Sequence, residues 1–180
     1  MNQEIIRKIE ETFRSAHSSN ELFDAFQTAI NLKVSDLSIY KILIANPALS
    51  VDEINMFTKK LINEIPGKKY ELLLWTGKVF ENHPQNIFNI ENTFSIYQQA
   101  IFQRPNSHEP LLRLLNLYNH DLKLPTNQKI INLIEKSLAA VDKKSKVYSA
   151  LAKHYKKCGD SESEKRYLRL AETSAKLERG

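Results

Sequence analysis

Glycine is scarce in this 180-residue chain, which holds only Gly67, Gly77, Gly159 and Gly180. Tight hairpin turns lean on glycine because their central residues need positive φ, so four glycines argue against a many-stranded fold. Neither G-x-x-x-x-G-K-S/T nor G-x-G-x-x-G can be written in the sequence, which removes the usual phosphate-cradling loops. Cysteine is reduced to Cys158 alone, so there is no internal disulfide and no Cys partner for a zinc site. Long apolar runs are missing too. The longest are short stretches such as Leu72–Trp75, far below the roughly 18 residues of a membrane-spanning candidate. The opening MNQEIIRKIEETF breaks its apolar pairs with charges and contains no leader-type apolar core. A soluble protein of a reducing compartment, the cytoplasm, is the expectation.

Charge of one sign is also in short supply over most of the chain. Net charge is +5, but residues 141–180 carry eleven Lys/Arg against six Asp/Glu, and the first 140 residues carry fifteen of each. The whole excess lies in the last quarter. Nucleic-acid domains concentrate more than this, so nucleic acid is disfavoured as a partner. The 42% hydrophobic and 26% charged content is that of a folded chain.

What is present is helix punctuation. Pro47, Pro66, Pro84, Pro105 and Pro125 follow one another at 19, 18, 21 and 20 residues, and proline cannot continue a helix interior. Between them apolar residues recur with helical period. The stripes are Ile5, Ile6, Ile9, Phe13; Leu22, Phe26, Ala29, Ile30; Ile54, Phe57, Leu61, Ile65; Leu111, Leu114, Leu115, Tyr118; and Ile130, Ile131, Ile134, Leu138. Ser18-x-x-Glu21, Ser50-x-x-Glu53 and Ser161-x-x-Glu164 fit the capping box, while Ser35, Ser107 and Thr126 suit simple N-caps. These signals predict helices over 3–17, 19–32, 36–46, 51–64, 68–82, 87–103, 108–119, 127–140, 144–158 and 161–178. Connections this short imply antiparallel neighbours.

The pattern repeats. Thr76-Gly77-x-x-Phe80, Leu114-Leu115-x-x-Tyr118 and Leu151-Ala152-x-x-Tyr155 recur at 38 and 37 residues. In the following helices Tyr97-x-x-Ala100-Ile101, Ile134-x-x-Ser137-Leu138 and Leu168-x-x-Ala171 recur at 37 and 34, with Phe26-x-x-Ala29-Ile30 two periods upstream. Two helices per 34–38 residues form a helical repeat; the competing reading is an irregular bundle. The stretch Val147–Glu172 resembles a tetratricopeptide repeat: Leu151, Ala152 and Tyr155 fill the first helix, Gly159-Asp160 the turn, Leu168 and Ala171 the second helix. Glu164 stands where that motif has a small residue. The unit Leu72–Pro105 is similar, and Leu74-Trp75…Phe80-Glu81 resembles the half-a-TPR repeats of RNA-processing scaffolds. The resemblance implies an all-α fold, a right-handed α-α superhelix of about ten helices in five antiparallel pairs. Residues 1–67 form an N-terminal helical region, continuous as one domain with the repeats over 68–180.

Catalytic constellations are sparse. His17, His83, His108, His120 and His154 show no H-x-x-x-H or H-E-x-x-H spacing, and there is no G-x-S-x-G elbow. Cys158 as a nucleophile would need a base, with Lys156 and Lys157 available to lower its pKa; it reads instead as a thiol at a helix end. Pairs such as Glu10-Glu11 and Asp52-Glu53 point apart on a helix. No enzyme, cofactor or metal is expected. In a repeat stack the first helices of successive pairs line a concave groove. Carried over by the resemblance, the groove positions are Glu71, Leu74, Lys78 and Asn82; Leu112, Arg113, Asn116 and Asn119; and Lys146, Ser149, Lys153, Lys156 and Lys157. Asparagines can bond a peptide backbone and lysines attract carboxylates. The expected function is a protein-interaction scaffold that binds an acidic or C-terminal peptide. An RNA-processing scaffold of the half-a-TPR kind is the alternative. Trp75 is expected between helices, and Tyr148, Tyr155 and Tyr167 in the core.

Overall fold

The computed structural model describes residues 2–83 and 89–179. Among these the chain forms ten α-helices and no strand, and it divides into two compact units, Met1–Pro84 and Gln85–Gly180.

The first unit holds α1 (Asn2–Ser15), α2 (Ser19–Asn31), α3 (Leu37–Ile44), α4 (Val51–Glu64) and α5 (Lys69–Glu81), with a short 3-10 turn at Pro66–Lys68. Helix α5, expected to open the repeat region, packs here on α3 and α4. Its stripes meet in one core: Phe13, Leu22, Phe26, Tyr40, Leu43, Ile54, Phe57 and Leu61 are almost wholly inaccessible. Phe26 stands edge-on to Phe57 at 4.8 Å, a geometry that adds to the area term. The buried Asn46, Thr58 and Thr76 side chains are hydrogen-bonded. Asn46 donates to the carbonyls of Phe13 and Ala16 at 2.9 and 3.1 Å, closing the C-terminus of α1. Trp75 is half-buried, as expected between helices, and its indole N–H donates to the Lys41 carbonyl at 2.9 Å.

The second unit holds α6 (Ile90–Gln103), α7 (Glu109–Asn116), α8 (Pro125–Ser137), α9 (Lys144–Cys158) and α10 (Ser161–Leu177). The expected start of the sixth helix at residue 87 lies outside the described residues. Tyr97, Ala100, Leu111, Leu114, Ile130, Ile134, Leu151 and Tyr167 are the core. In each unit helices pack on the next helix and on the next but one: α1 on α2 and α3, α3 on α4 and α5, α6 on α7 and α8, α7 on α8 and α9. That ladder is consistent with a helical repeat. Helices α9 and α10 form the closest pair, turning at Gly159, whose φ of 75° is the left-handed value that only glycine adopts without strain. Glu178 at the end of α10 accepts from the Ser145 N–H at the start of α9, at 2.9 Å.

Several sequence expectations are corrected. Of the three capping boxes only Ser50–Glu53 closes in both directions. Ser18 is extended but makes no cap bond. Asp160 caps α10 in place of Ser161, because a carboxylate one residue earlier already accepts the Ser163 N–H at 3.0 Å. Asp36 displaces Ser35 in the same way, accepting from Ser38 N–H at 2.8 Å. Residue His108, not Ser107, precedes α7. Helix α8 begins at Pro125, two residues before the expected start, since proline at the first helical position forfeits only an N–H that has no helical partner. Thr126 is therefore inside the helix, its hydroxyl donating to Glu91 of α6. Tyr167 and Ala171 of α10 face the core as expected, while Leu168 is exposed.

Candidate functional site

Helix α9, KSKVYSALAKHYKKC, sets the site by periodicity. Val147, Leu151 and Ala152 are buried against the neighbouring helices. His154 and Cys158 extend that stripe at three and seven residues from Leu151, so the helix carries an imidazole and a thiol toward its packed side. On the far side Lys146, Lys153 and Lys157 are exposed, and Ser149 is half-buried. None of the three lysines has a carboxylate within 4.0 Å among the described residues. Lys156 differs: it leans across the hairpin to within 4.0 Å of Glu164 on α10.

The other expected groove positions separate. Lys78 and Asn82 belong to the first unit, where the Asn82 side chain donates to the Lys78 carbonyl at 2.8 Å. Leu74 is buried and faces the core instead of a groove. Arg113 and Asn116 lie on α7, half-buried and exposed respectively. Helix α7 stops at Asn116, three residues short of expectation, because the next residues are claimed by a hydrogen-bonded loop. There Asn119 Oδ1 accepts from the N–H groups of Asp121 and Leu122, both at 2.9 Å. Asn127, buried in the first turn of α8, donates to the carbonyls of Asn119 and Leu122 at 2.7 and 2.9 Å and accepts from Asn119 N–H at 3.1 Å. One carboxamide thus pins both limbs of the loop 117–124.

This loop and the end of α9 enclose a cleft of about 560 Å³ lined by Tyr118, Asn119, His120, Gln128, Lys157 and Cys158, among others. Of the expected groove residues, Asn119 and Lys157 share it. The loop also carries His120 to α9. Its Nδ1 lies 3.7 Å from Cys158 Sγ, and His154 Nε2 lies 3.6 Å from the same sulfur. The Tyr118 ring packs edge-on to His154 with centroids 4.3 Å apart. His154 is 5% exposed, and its Nδ1 is buried without a hydrogen-bond partner. Burial, then the charges of His120 and Lys157, push the His154 pKa down to about 4. Burial, then Asp160, push the Cys158 thiol up against a hydrogen bond from Tyr118. The lowering expected from Lys156 and Lys157 does not govern it. A neutral ring beside a protonated thiol is not the thiolate–imidazolium pair of an activated nucleophile.

No family model, curated protein or solved structure matches this chain. The functional reading therefore rests on geometry and on the sequence pattern.

The cluster of His120, His154 and Cys158 escaped the sequence reading, which looked for paired cysteines and for histidine pairs. A signal was present: His154-x-x-x-Cys158 is an i, i+4 pair, the spacing that stacks two side chains on one helical face. His120, 34 residues upstream, carries no such mark. Tyr155 and Tyr167 stack at 5.3 Å with planes 4° apart, and the Tyr167 hydroxyl donates to Glu135 at 2.8 Å. Tyr167 is buried and Tyr148 and Tyr155 half-buried, in keeping with packing residues.

Proposed function

We propose that this chain is a protein-interaction module built as a tetratricopeptide-like right-handed superhelix of antiparallel helix pairs, working in the cytoplasm. Its ligand is an extended peptide with acidic residues or a free C-terminal carboxylate. The observation that carries this reading is the strip of Lys146, Lys153 and Lys157 on α9, exposed and without a carboxylate within 4.0 Å, which runs to a cleft of about 560 Å³. Unpaired ammonium groups beside a concavity suit a carboxylate, and they offer three donors each to it. Asn116 and Arg113 on the preceding first-type helix α7 extend the recognition surface. Lys156, held near Glu164, contributes less than its neighbours.

The test uses a labelled acidic peptide, with a free or an amidated C-terminus, in fluorescence polarisation at low salt. The reading expects saturable binding that weakens in the K146E/K153E/K157E variant while the helical circular-dichroism signal stays unchanged. Equal binding by the variant removes the lysine strip from the function. A single-stranded RNA of similar length serves as the second arm: tight, steeply salt-dependent RNA binding with no peptide binding would transfer the protein to the RNA-scaffold class.

A further inference from the structure

We propose that His120, His154 and Cys158 form a three-ligand site for a transition-metal ion of borderline softness, with Zn²⁺ the best fit. Two imidazoles and a thiolate are the donor set such ions take from proteins. Metal-ligand bonds of about 2.3 Å to sulfur and 2.0–2.1 Å to nitrogen, opened at the tetrahedral angle, put S and N about 3.6 Å apart. The two sulfur–nitrogen separations here are 3.6 and 3.7 Å. All three donor atoms lie within 4.8 Å of one another. A tetrahedral pair of nitrogens wants about 3.3 Å, and His120, exposed on its loop, is the member free to close that distance.

The surroundings point the same way independently. An imidazole that is 5% exposed and has one nitrogen unpartnered is an expensive way to fill a core position that a leucine could fill. The unpartnered nitrogen is Nδ1, and the ion would take the other one, Nε2, which stands 3.6 Å from Cys158 Sγ. Here the ring is clamped against Tyr118 and Tyr155 with Nε2 turned to the thiol, not to the apolar core. The second histidine is brought in by a loop whose course is fixed by Asn127, a support of the kind that holds ligands in place at metal centres. The proposal does not depend on the peptide reading: its donors are His120, His154 and Cys158, none of them a lysine of the strip, although Lys157 lines the same cleft as His120 and Cys158.

No further His, Cys or carboxylate joins the three among the described residues. The fourth coordination position therefore opens toward the cleft and takes water or an external donor, the arrangement of an open site and not of a closed structural one. Binding proceeds with loss of the Cys158 proton to solvent and formation of the metal–sulfur bond, with no redox change.

The full chain, treated with chelator and titrated with Co²⁺, tests this. A thiolate-to-cobalt charge-transfer band with intense tetrahedral visible bands, saturating at one ion per chain and abolished by Zn²⁺, is expected. C158S should lose the charge-transfer band. H120A, at an exposed position, should keep the fold and weaken Zn²⁺ binding at least tenfold, as loss of a ligand costs no less than loss of its supporting shell. Absence of the band in a chain of native helicity would overturn the site, and so would undiminished Zn²⁺ binding by C158S or H120A, which would place the ion elsewhere.

Discussion

Asn127 does with one side chain what loops usually need several residues to do. Its carboxamide is buried, donates to two backbone carbonyls and accepts from one backbone N–H, so removing it strands the N–H and the carbonyl of Asn119 and leaves the Leu122 carbonyl with the Leu124 N–H alone. A buried group left unpaired costs about 1–3 kcal/mol. N127A should therefore destabilise the second unit by about 2 kcal/mol in urea unfolding. N127D should not rescue it, because an ionised carboxylate cannot donate to the carbonyls of Asn119 and Leu122. If N127A unfolds at the wild-type midpoint, the loop is held by other means and the placement of His120 loses its support. The role was not readable beforehand: in the sequence Asn127 is one polar residue after a proline, and only the chain's return from α7 supplies its partners.

At the scale of the element, helix ends separate what local chemistry decides from what it leaves open. The box Ser50-x-x-Glu53 was legible and forms because both partners lie within four residues: Ser50 N–H donates to Glu53 at 2.7 Å, and Ser50 Oγ accepts from Glu53 N–H at 3.3 Å. The same spelling at Ser18 and Ser161 failed, at Ser161 because Asp160 stands one residue nearer the turn at Gly159. S50A should cost about 1 kcal/mol at neutral pH. The pH dependence follows from Glu53, whose pKa is held below its ordinary value by hydrogen bonds from the Ser50 backbone and hydroxyl. A carboxylate depressed in the folded state stabilises above its unfolded pKa and loses that contribution as pH falls through the folded value. The gap between wild type and S50A should accordingly narrow as urea midpoints are followed from pH 7 down through the carboxylate range. A gap independent of pH would assign the effect to the hydroxyl alone. Glu91, lowered by Thr126 and Lys129, loses its contribution over the same range in both proteins and so cancels from the comparison.

For the whole molecule, periodicity carried the fold because a helix must bury its stripe on its neighbours. Phe13, Phe26, Phe57, Leu111 and Ile134 are all in the core, as their spacing required. The site was less legible, since Leu74 and Leu168 have the right residue type but sit a fraction of a turn from the expected face, and side-chain direction depends on how each pair crosses. Charge is the property that integrates over the chain. The excess of +5 arises entirely within residues 141–180, where α9 presents its lysine strip, so the proposed peptide interaction should be sensitive to screening. Raising salt from 0.1 to 1 M shortens the Debye length from about 10 Å to about 3 Å. With three exposed lysines each contributing a few tenths of a kcal/mol to a carboxylate ligand, the affinity for an acidic peptide should fall about fivefold over that range. The K146E/K153E/K157E variant should bind weakly at low salt and change little, or even gain, as salt rises, because its strip repels the ligand. Parallel salt slopes for wild type and variant, read by polarisation, would mean that the peptide is held by some other surface and that the charge asymmetry of the chain serves a different end.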